Sequence, residues 1–320
     1  MKLALFLALL AGIPLIAQVK ITQGTDRVAV EIDGKPYAEL FYGPDVYKPY
    51  LHPLRAATGT IVTRHFPMEK LEGESTDHPH HRGLWFGHGD VNGFDFWSAD
   101  PFYKDKPKIG RIVVRSVDRL KSGAETGSVD ATFEWREPSG KLLLTEKRGM
   151  VFHAGKDRVI DFDLTLTALV PATFGDTKEG TFAMRLAAGL EYPQKNSPPS
   201  PARTGTMVNS AGGKGEAECW GKRANWMDYY GELEGEKVGI AIFDHPGNPR
   251  HPTYWHTRAY GLFAANIFGL RDFTNDKNAN GSLTLRPGEK LRFRYRVIVH
   301  PGDATTARIA ERYNEYAGMR

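Results

Sequence analysis

A single cysteine, Cys219, stands among 320 residues, so no intrachain disulfide can form and the fold must be held by its core. A lone cysteine is most often a small buried apolar residue, and Cys219 is read that way in preference to a nucleophile. Beyond the N-terminal leader no apolar run reaches the length of a membrane span. The formal net charge of +4 is spread through the chain without a basic run, which gives no electrostatic case for nucleic acid. No Walker loop, Gly-x-Gly-x-x-Gly helix start, Gly-x-Ser-x-Gly elbow or His-Glu-x-x-His helix occurs, so nucleotide-driven and serine-hydrolase chemistries fall away.

What is present begins with Lys2 followed by an apolar run through Ile16. This is the anatomy of a secretory signal peptide cleaved near Ala17, and it predicts export to the periplasm or beyond the cell. Residues 18–320 are expected to form a single β-sandwich domain. Thirty-four glycines and twenty prolines point to many turns, and most segments read with a two-residue period. In 158–166, Ile160, Phe162, Leu164 and Leu166 share one face opposite Asp161, Asp163 and Thr165. The segment 292–299 alternates in the same way, and further strands are expected near 26–32, 36–42, 109–117, 129–136, 142–152 and 237–243. Asp33-Gly34 reads as a hairpin turn, and Pro138-Ser139-Gly140 separates another pair. The one convincing helix is 304–317, with Asp303 as its cap and Ile309, Tyr313, Tyr316 and Ala317 on its apolar stripe. The fold class is therefore all-β, mainly antiparallel, with a C-terminal helix. The Pro-rich stretch 193–215 reads as an excursion, not a linker.

Chemistry concentrates in Asp77-His78-Pro79-His80-His81-Arg82-Gly83-Leu84-Trp85-Phe86-Gly87-His88, which with Gly89 and Asp90 holds four of the eleven histidines. Pro79 disfavours helical geometry at His78, so the segment is expected to be extended, with His78, His80 and Arg82 pointing one way and Asp77 and His81 the other. Two chemistries fit. His78 and His80, with His88, would offer imidazoles to a divalent metal; alternatively, Asp77 would orient a neighbouring imidazole for acid/base work. The bland alternative is a set of hydrogen-bonded loop residues holding a turn.

Downstream, Asp90, Asn92, Phe94, Phe96 and Trp97 mix hydrogen-bonding groups with aromatics, as a sugar site would, although the three aromatics also suit a core strand. A second cluster runs from Asp244 through His245, Arg250, His251, Tyr254, Trp255 and His256 to Arg258. Its prolines would hold polar side chains in place without a covering helix, and a rigid surface loop is the plain alternative. Arg64 suits a carboxylate or polyhydroxyl ligand, or a structural ion pair.

The string from Asp77 to Gly93 resembles a bacterial family labelled "methane oxygenase PmoA" and otherwise classed as a domain of unknown function. The resemblance recurs at Glu179-Gly180-Thr181-Phe182, at Asn248-Pro249-Arg250-His251-Pro252-Thr253 with Trp255-His256, and at Tyr260 to Asn266, and so covers nearly the whole mature chain. It implies a super-sandwich of the galactose-mutarotase type, a fold found among sugar epimerases, polysaccharide lyases and glycoside-processing enzymes. The label itself implies a membrane copper enzyme with several transmembrane helices, which this chain lacks after its leader. Carbohydrate chemistry, not true methane oxygenation, is thus the expectation.

The resulting expectation is a carbohydrate-active enzyme in which His80 or His81 exchanges a proton with a saccharide or oxidised sugar and His256 serves the opposite face. Asp77 assists; Arg64, Arg250 and Arg258 hold oxygen-rich groups; Asp90 and Asn92 hydrogen-bond; and Trp97, Tyr254 or Trp255 stacks on the ring. The alternatives are a metal-dependent hydrolase or oxidoreductase using His78, His80 and His88, and a non-catalytic carbohydrate-binding module. The partner is a small-molecule or oligosaccharide substrate.

Overall fold

A computed structural model describes residues 18–197 and 201–319; the expected leader lies outside them. Two eight-stranded antiparallel sheets form the framework of the described residues. In the first, the order is Val19–Gln23, Arg27–Ile32, Lys35–Phe41, Tyr50–Leu51, Leu84–His88, Gly180–Arg185, Leu262–Asn266 and Tyr254–Thr257. In the second it is Thr206–Asn209, Trp226–Leu233, Glu236–Asp244, Lys290–Pro301, Arg158–Ala168, Leu142–His153, Thr126–Arg136 and Arg111–Lys121. The all-β, mainly antiparallel class with a C-terminal helix is what the chain forms. Every strand anticipated from alternation is present, and Asp33 and Gly34 join their hairpin with φ of 54° and 73°, the pair of positive values that a primed turn needs.

The sheets pack face to face. Phe86 meets Trp135 at 6.0 Å between ring centroids, and Phe182 meets Phe162 at 4.9 Å and Tyr295 at 4.4 Å. One apolar cluster runs continuously through the inward residues of both sheets. Each such side chain contributes roughly 1.5–3 kcal/mol on burial, so this cluster carries the stability that a chain with one cysteine cannot take from disulfides. Cys219 is itself buried in it, and burial pushes its thiol pKa up to about 12, the state of an inert core residue.

The two outer faces differ. On the second sheet, Ile309, Tyr313 and Tyr316 of the helix Ile309–Ala317 pack onto Ala241, Phe243 and Ile298. The helix begins five residues later than its sequence pattern predicts. Asp303 Oδ1 instead accepts the amides of Thr305 and Thr306 in a separate turn, and Arg308 at φ 55° breaks the path into the helix. On the first sheet, the outward side chains Trp85, Ala183, Leu262 and Ala264 join Tyr50 and Trp97 in a second apolar cluster. Loops cover that face and carry the histidines. No helix among the described residues is long and apolar enough to cross a membrane.

Candidate active site

The segment Asp77–Arg82 is a turn, not an extended strand. His81 N donates to His78 O at 2.9 Å, Pro79 takes the second turn position that its fixed φ favours, and His78 escapes the conformation Pro79 disfavours by adopting φ 42°. Folding the chain this way turns His78, His80 and His81 toward one cleft, where an extended segment would have split them. At the exit, Gly83 has φ +50°, and a Cβ there would lie 2.1 Å from Leu51 O, so only glycine admits the chain to the strand Leu84–His88.

Arg64 holds the turn from behind. Its buried guanidinium donates to the carbonyls of Ser75, Asp77, His78 and His81 at 2.9–3.4 Å and to Asp77 Oδ1 at 2.6 Å. This use of its donors makes Arg64 a positioning residue instead of the expected ligand for substrate. Lys48 clamps the other side, donating to His80 O at 2.7 Å and lying 5.4 Å from the centre of the Trp85 ring. Its ammonium pKa falls to about 7, first through burial. Arg185 Nη2 stands 2.9 Å from Asp77 Oδ1. Burial pushes the Asp77 carboxyl up, but its hydrogen bond with His78 and the charges of Arg185 and Arg64 outweigh this and hold it well below the usual range. Asp77 is therefore an orienting anion.

Four rings stack in sequence. Tyr260 to His78 is 5.5 Å at 7°, His78 to His81 is 4.8 Å at 4°, and His81 to Trp85 is 5.1 Å at 19°. The ring nitrogens have distinct tasks that follow from their partners. His78 Nδ1 lies 2.9 Å from the Asp77 carboxylate, which only accepts, so Nδ1 carries the proton and Nε2 offers a lone pair. Arg185 Nη1, which only donates, meets His81 Nδ1 at 3.4 Å. The lone pair of His81 is thereby taken, and Nε2 carries its hydrogen. Burial, then the charges of His80 and Arg185, push His81 far below the ordinary histidine range; it is a neutral donor, whereas the expectation had His80 or His81 exchanging a proton with substrate.

The distant cluster reaches the same cleft at its end only. In the strand Tyr254–Thr257 side chains alternate, so Trp255 enters the inner core while His256 faces outward. His256 Nδ1 donates to Lys178 O at 2.9 Å, leaving Nε2 as an acceptor, and burial lowers its pKa to about 3. His256, Arg258 and Tyr260 line a cleft of about 450 Å³ with His78, His80, His81, Trp97, Ser98, Lys178 and Glu179. His80 sits deep in it, Nδ1 3.3 Å from Tyr103 Oη, its pKa lowered to about 2 mainly by burial. Sequence reading missed Tyr260, Lys178, Glu179, Arg185 and Lys48. Tyr260 and Glu179 lay within the strings that carried the family resemblance, which was the available signal.

Other expected residues lie elsewhere. His88 shares the inward face of its strand with Leu84 and Phe86, donates Nε2–H to Gly175 O at 2.9 Å and packs 4.5 Å from Phe268. The set His78, His80 and His88 is thus divided by the sheet. Among the described residues no group of three or more His, Cys, Asp or Glu is arranged to hold a metal ion, so the copper implied by the methane-oxygenase label has no fitting ligand set. Asp90 accepts Gly93 N at 2.8 Å, and Asn92, at φ 55°, bonds Pro171 O and Thr173 N; both build turns. Arg250 spends its guanidinium on the carbonyls of Ile267, Gly281 and Ser282. Tyr254 stacks on Phe273 at 5.3 Å, and Trp255 Nε1 donates to Ala224 O at 2.9 Å in the core. None of these five lines the cleft.

The profile of a family of unknown function (DUF6807) matches residues 27–314. The chain belongs to that family. No curated protein matches it, and the family description carries no methane-oxygenase label. Similar solved structures include a putative kojibiose phosphorylase from the human microbiome, 8% identical with a TM-score of 0.35 over 67% of this chain and 26% of that one. A polysaccharide lyase is 12% identical with a TM-score of 0.34 over 88% and 34%. A GalM/aldose epimerase homologue from C. elegans is 8% identical with a TM-score of 0.36 over 89% and 100%. The chain thus spans 26% of the phosphorylase and 34% of the lyase.

Proposed function

We propose that the protein is an exported carbohydrate-active enzyme that works by histidine acid/base chemistry, with His78 as the base. The observation that carries this reading is the pairing of Asp77 with His78 at the rim of a cleft that also holds His81, His256 and Trp97. Asp77 orients the imidazole and stabilises the imidazolium that forms when Nε2 takes a proton, the arrangement that makes histidine effective near neutral pH. His256 Nε2 accepts a substrate hydroxyl, and His81 Nε2–H donates to a substrate oxygen. The rings of Tyr260 and Trp97 suit the C–H faces of a saccharide, while Arg258 and Ser98 supply polar contacts. The N-terminal apolar leader supports export.

The test is turnover of a panel of oligosaccharides and oxidised glycosides by the mature protein and by His78→Gln. Loss of turnover in the variant, with saccharide binding kept, is the expected result. Equal turnover by both proteins overturns the role of His78, and binding without turnover by the native protein supports a binding module instead.

A further inference from the structure

Two N–H donors in the cleft have no acceptor. His81 Nε2 and Trp97 Nε1 are buried and unpartnered, and their rings, both lining the cleft, meet edge to face at 5.7 Å. Burying a donor without a partner is costly, and folded chains seldom keep one unless a ligand or water completes it. Both groups are neutral, so each serves an oxygen that gains charge during a reaction without placing a fixed cation against it. The two cations that line the cleft are already matched: Lys178 Nζ lies 2.9 Å from Glu179 Oε1, and Arg258 Nη1 lies 3.1 Å from Glu216 Oε1. Neither is left over for a carboxylate or phosphate on the substrate.

We propose that the cleft takes an uncharged sugar bearing a ring carbonyl, and that His81 Nε2–H and Trp97 Nε1–H hold the carbonyl oxygen while it becomes an enolate. This deepens the reading of His78 as base and rests on it. The C–H bond beside the carbonyl breaks, its proton passes to His78 Nε2, and its electron pair forms the carbon–carbon double bond as the carbonyl π pair moves onto oxygen. Return of a proton from His78 to the same carbon completes the cycle, and no oxidant or reductant is consumed. Trp97 is then a catalytic residue and not only a surface for stacking. A neutral imidazole that donates to a carbonyl is an effective partner for a base in such proton transfers.

The probes are methyl glucoside, its 2-, 3- and 4-keto derivatives, and methyl glucuronide, titrated by calorimetry into the mature protein and followed in D₂O by NMR. At least one ketone is expected to bind about tenfold or more tighter than the parent glucoside and to take up deuterium beside its carbonyl, with the glucuronide binding no tighter than the parent. Trp97→Phe keeps an aromatic ring, though a smaller one, removes the donor, and is expected to slow exchange roughly a hundredfold and to abolish the preference for the ketone. Ketones that bind no better than the parent, a glucuronide that binds tightest, or a Trp97→Phe protein with unchanged exchange each overturn the proposal. His78→Gln separates the two readings. If it stops turnover of an unoxidised saccharide and no ketone is preferred, the base stands and the donor pair falls; if it leaves deuterium uptake intact while Trp97→Phe removes it, the base falls and the donor pair stands.

Discussion

Two loops of this protein share a composition of histidine, proline, arginine and aspartate, yet they end in opposite states. Around Asp244 the buried polar groups are paired. Its carboxylate accepts from His251 Nδ1 at 2.7 Å, Asn248 Nδ2 at 2.7 Å and Thr253 N at 2.9 Å, while His245 Nε2 donates to Met319 O at 3.0 Å. Around Asp77, the carbonyls of Asp77, His78, His80 and His81 are held by Arg64 or Lys48, but His81 Nε2–H and Trp97 Nε1–H are left open and His78 Nε2 has no partner. Composition does not distinguish a scaffold loop from a site. Hydrogen-bonding capacity left over after folding does, because an unspent buried donor or acceptor is retained against a stability cost.

The largest effect that sharpens this contrast is loss of the base: His78→Gln should lower turnover by roughly 10²–10⁴-fold while leaving the urea midpoint close to that of the native protein. Removing the anion of the other loop should do the reverse. Asp244→Ala strands three donors at a fully buried position and should cost about 3 kcal/mol or more of stability, with turnover per folded molecule unchanged; a kinetic defect without destabilisation breaks the comparison.

Acid sensitivity should come next. The pKa values of His80 and His256 are lowered to about 2 and about 3, and that of His81 well below the ordinary value, each first through burial. The stability these neutral rings permit is full above the unfolded histidine value near 6.5 and is lost as pH falls from there toward the folded values, because only the unfolded chain takes up the protons. Stability against denaturant should therefore fall below about pH 6.5, by up to about 1.4 kcal/mol per pH unit for each ring, and His256→Gln should flatten the slope. A pH-independent midpoint between pH 7 and 5 contradicts the buried neutral assignment. Arg250→Lys, which loses the forked contacts to three carbonyls, should cost roughly 1–2 kcal/mol without changing saccharide affinity. Smallest of all, Tyr254→Phe should stay within about 0.5 kcal/mol and leave binding as it is, since that ring stacks on Phe273 away from the cleft.

How much was legible followed from what covers each sheet. Strands of the second sheet alternate where their outer face meets solvent, away from the C-terminal helix: Arg158–Ala168 is buried at every second residue, and Arg292 pairs with Asp163 on the exposed side. In the first sheet, Leu84–His88, Gly180–Arg185 and Leu262–Asn266 are buried at every position, because the site loops close over their outer face. A strand buried on both sides loses the two-residue period, so these three were not anticipated. The histidine string itself stood out in the sequence as a candidate site. Its geometry did not, since Arg64 and Arg185 arrive from segments separated in sequence, and they decide which ring nitrogen holds a proton. Of the second cluster, His256 and Arg258 line the cleft, whereas Arg250, Tyr254 and Trp255 lie outside it.

The most direct test of the account is a long-range ¹H–¹⁵N NMR spectrum of the histidine rings at pH 7, recorded during titration with a saccharide that binds. The account predicts His81 protonated on Nε2 and His256 on Nδ1, with the signals of His78, His81 and His256 moving as saccharide is added and those of His245 and His251 staying fixed. Movement of His245 and His251 with a silent His78, His81 and His256 would contradict it, because the site would then lie in the loop whose hydrogen bonds are already spent.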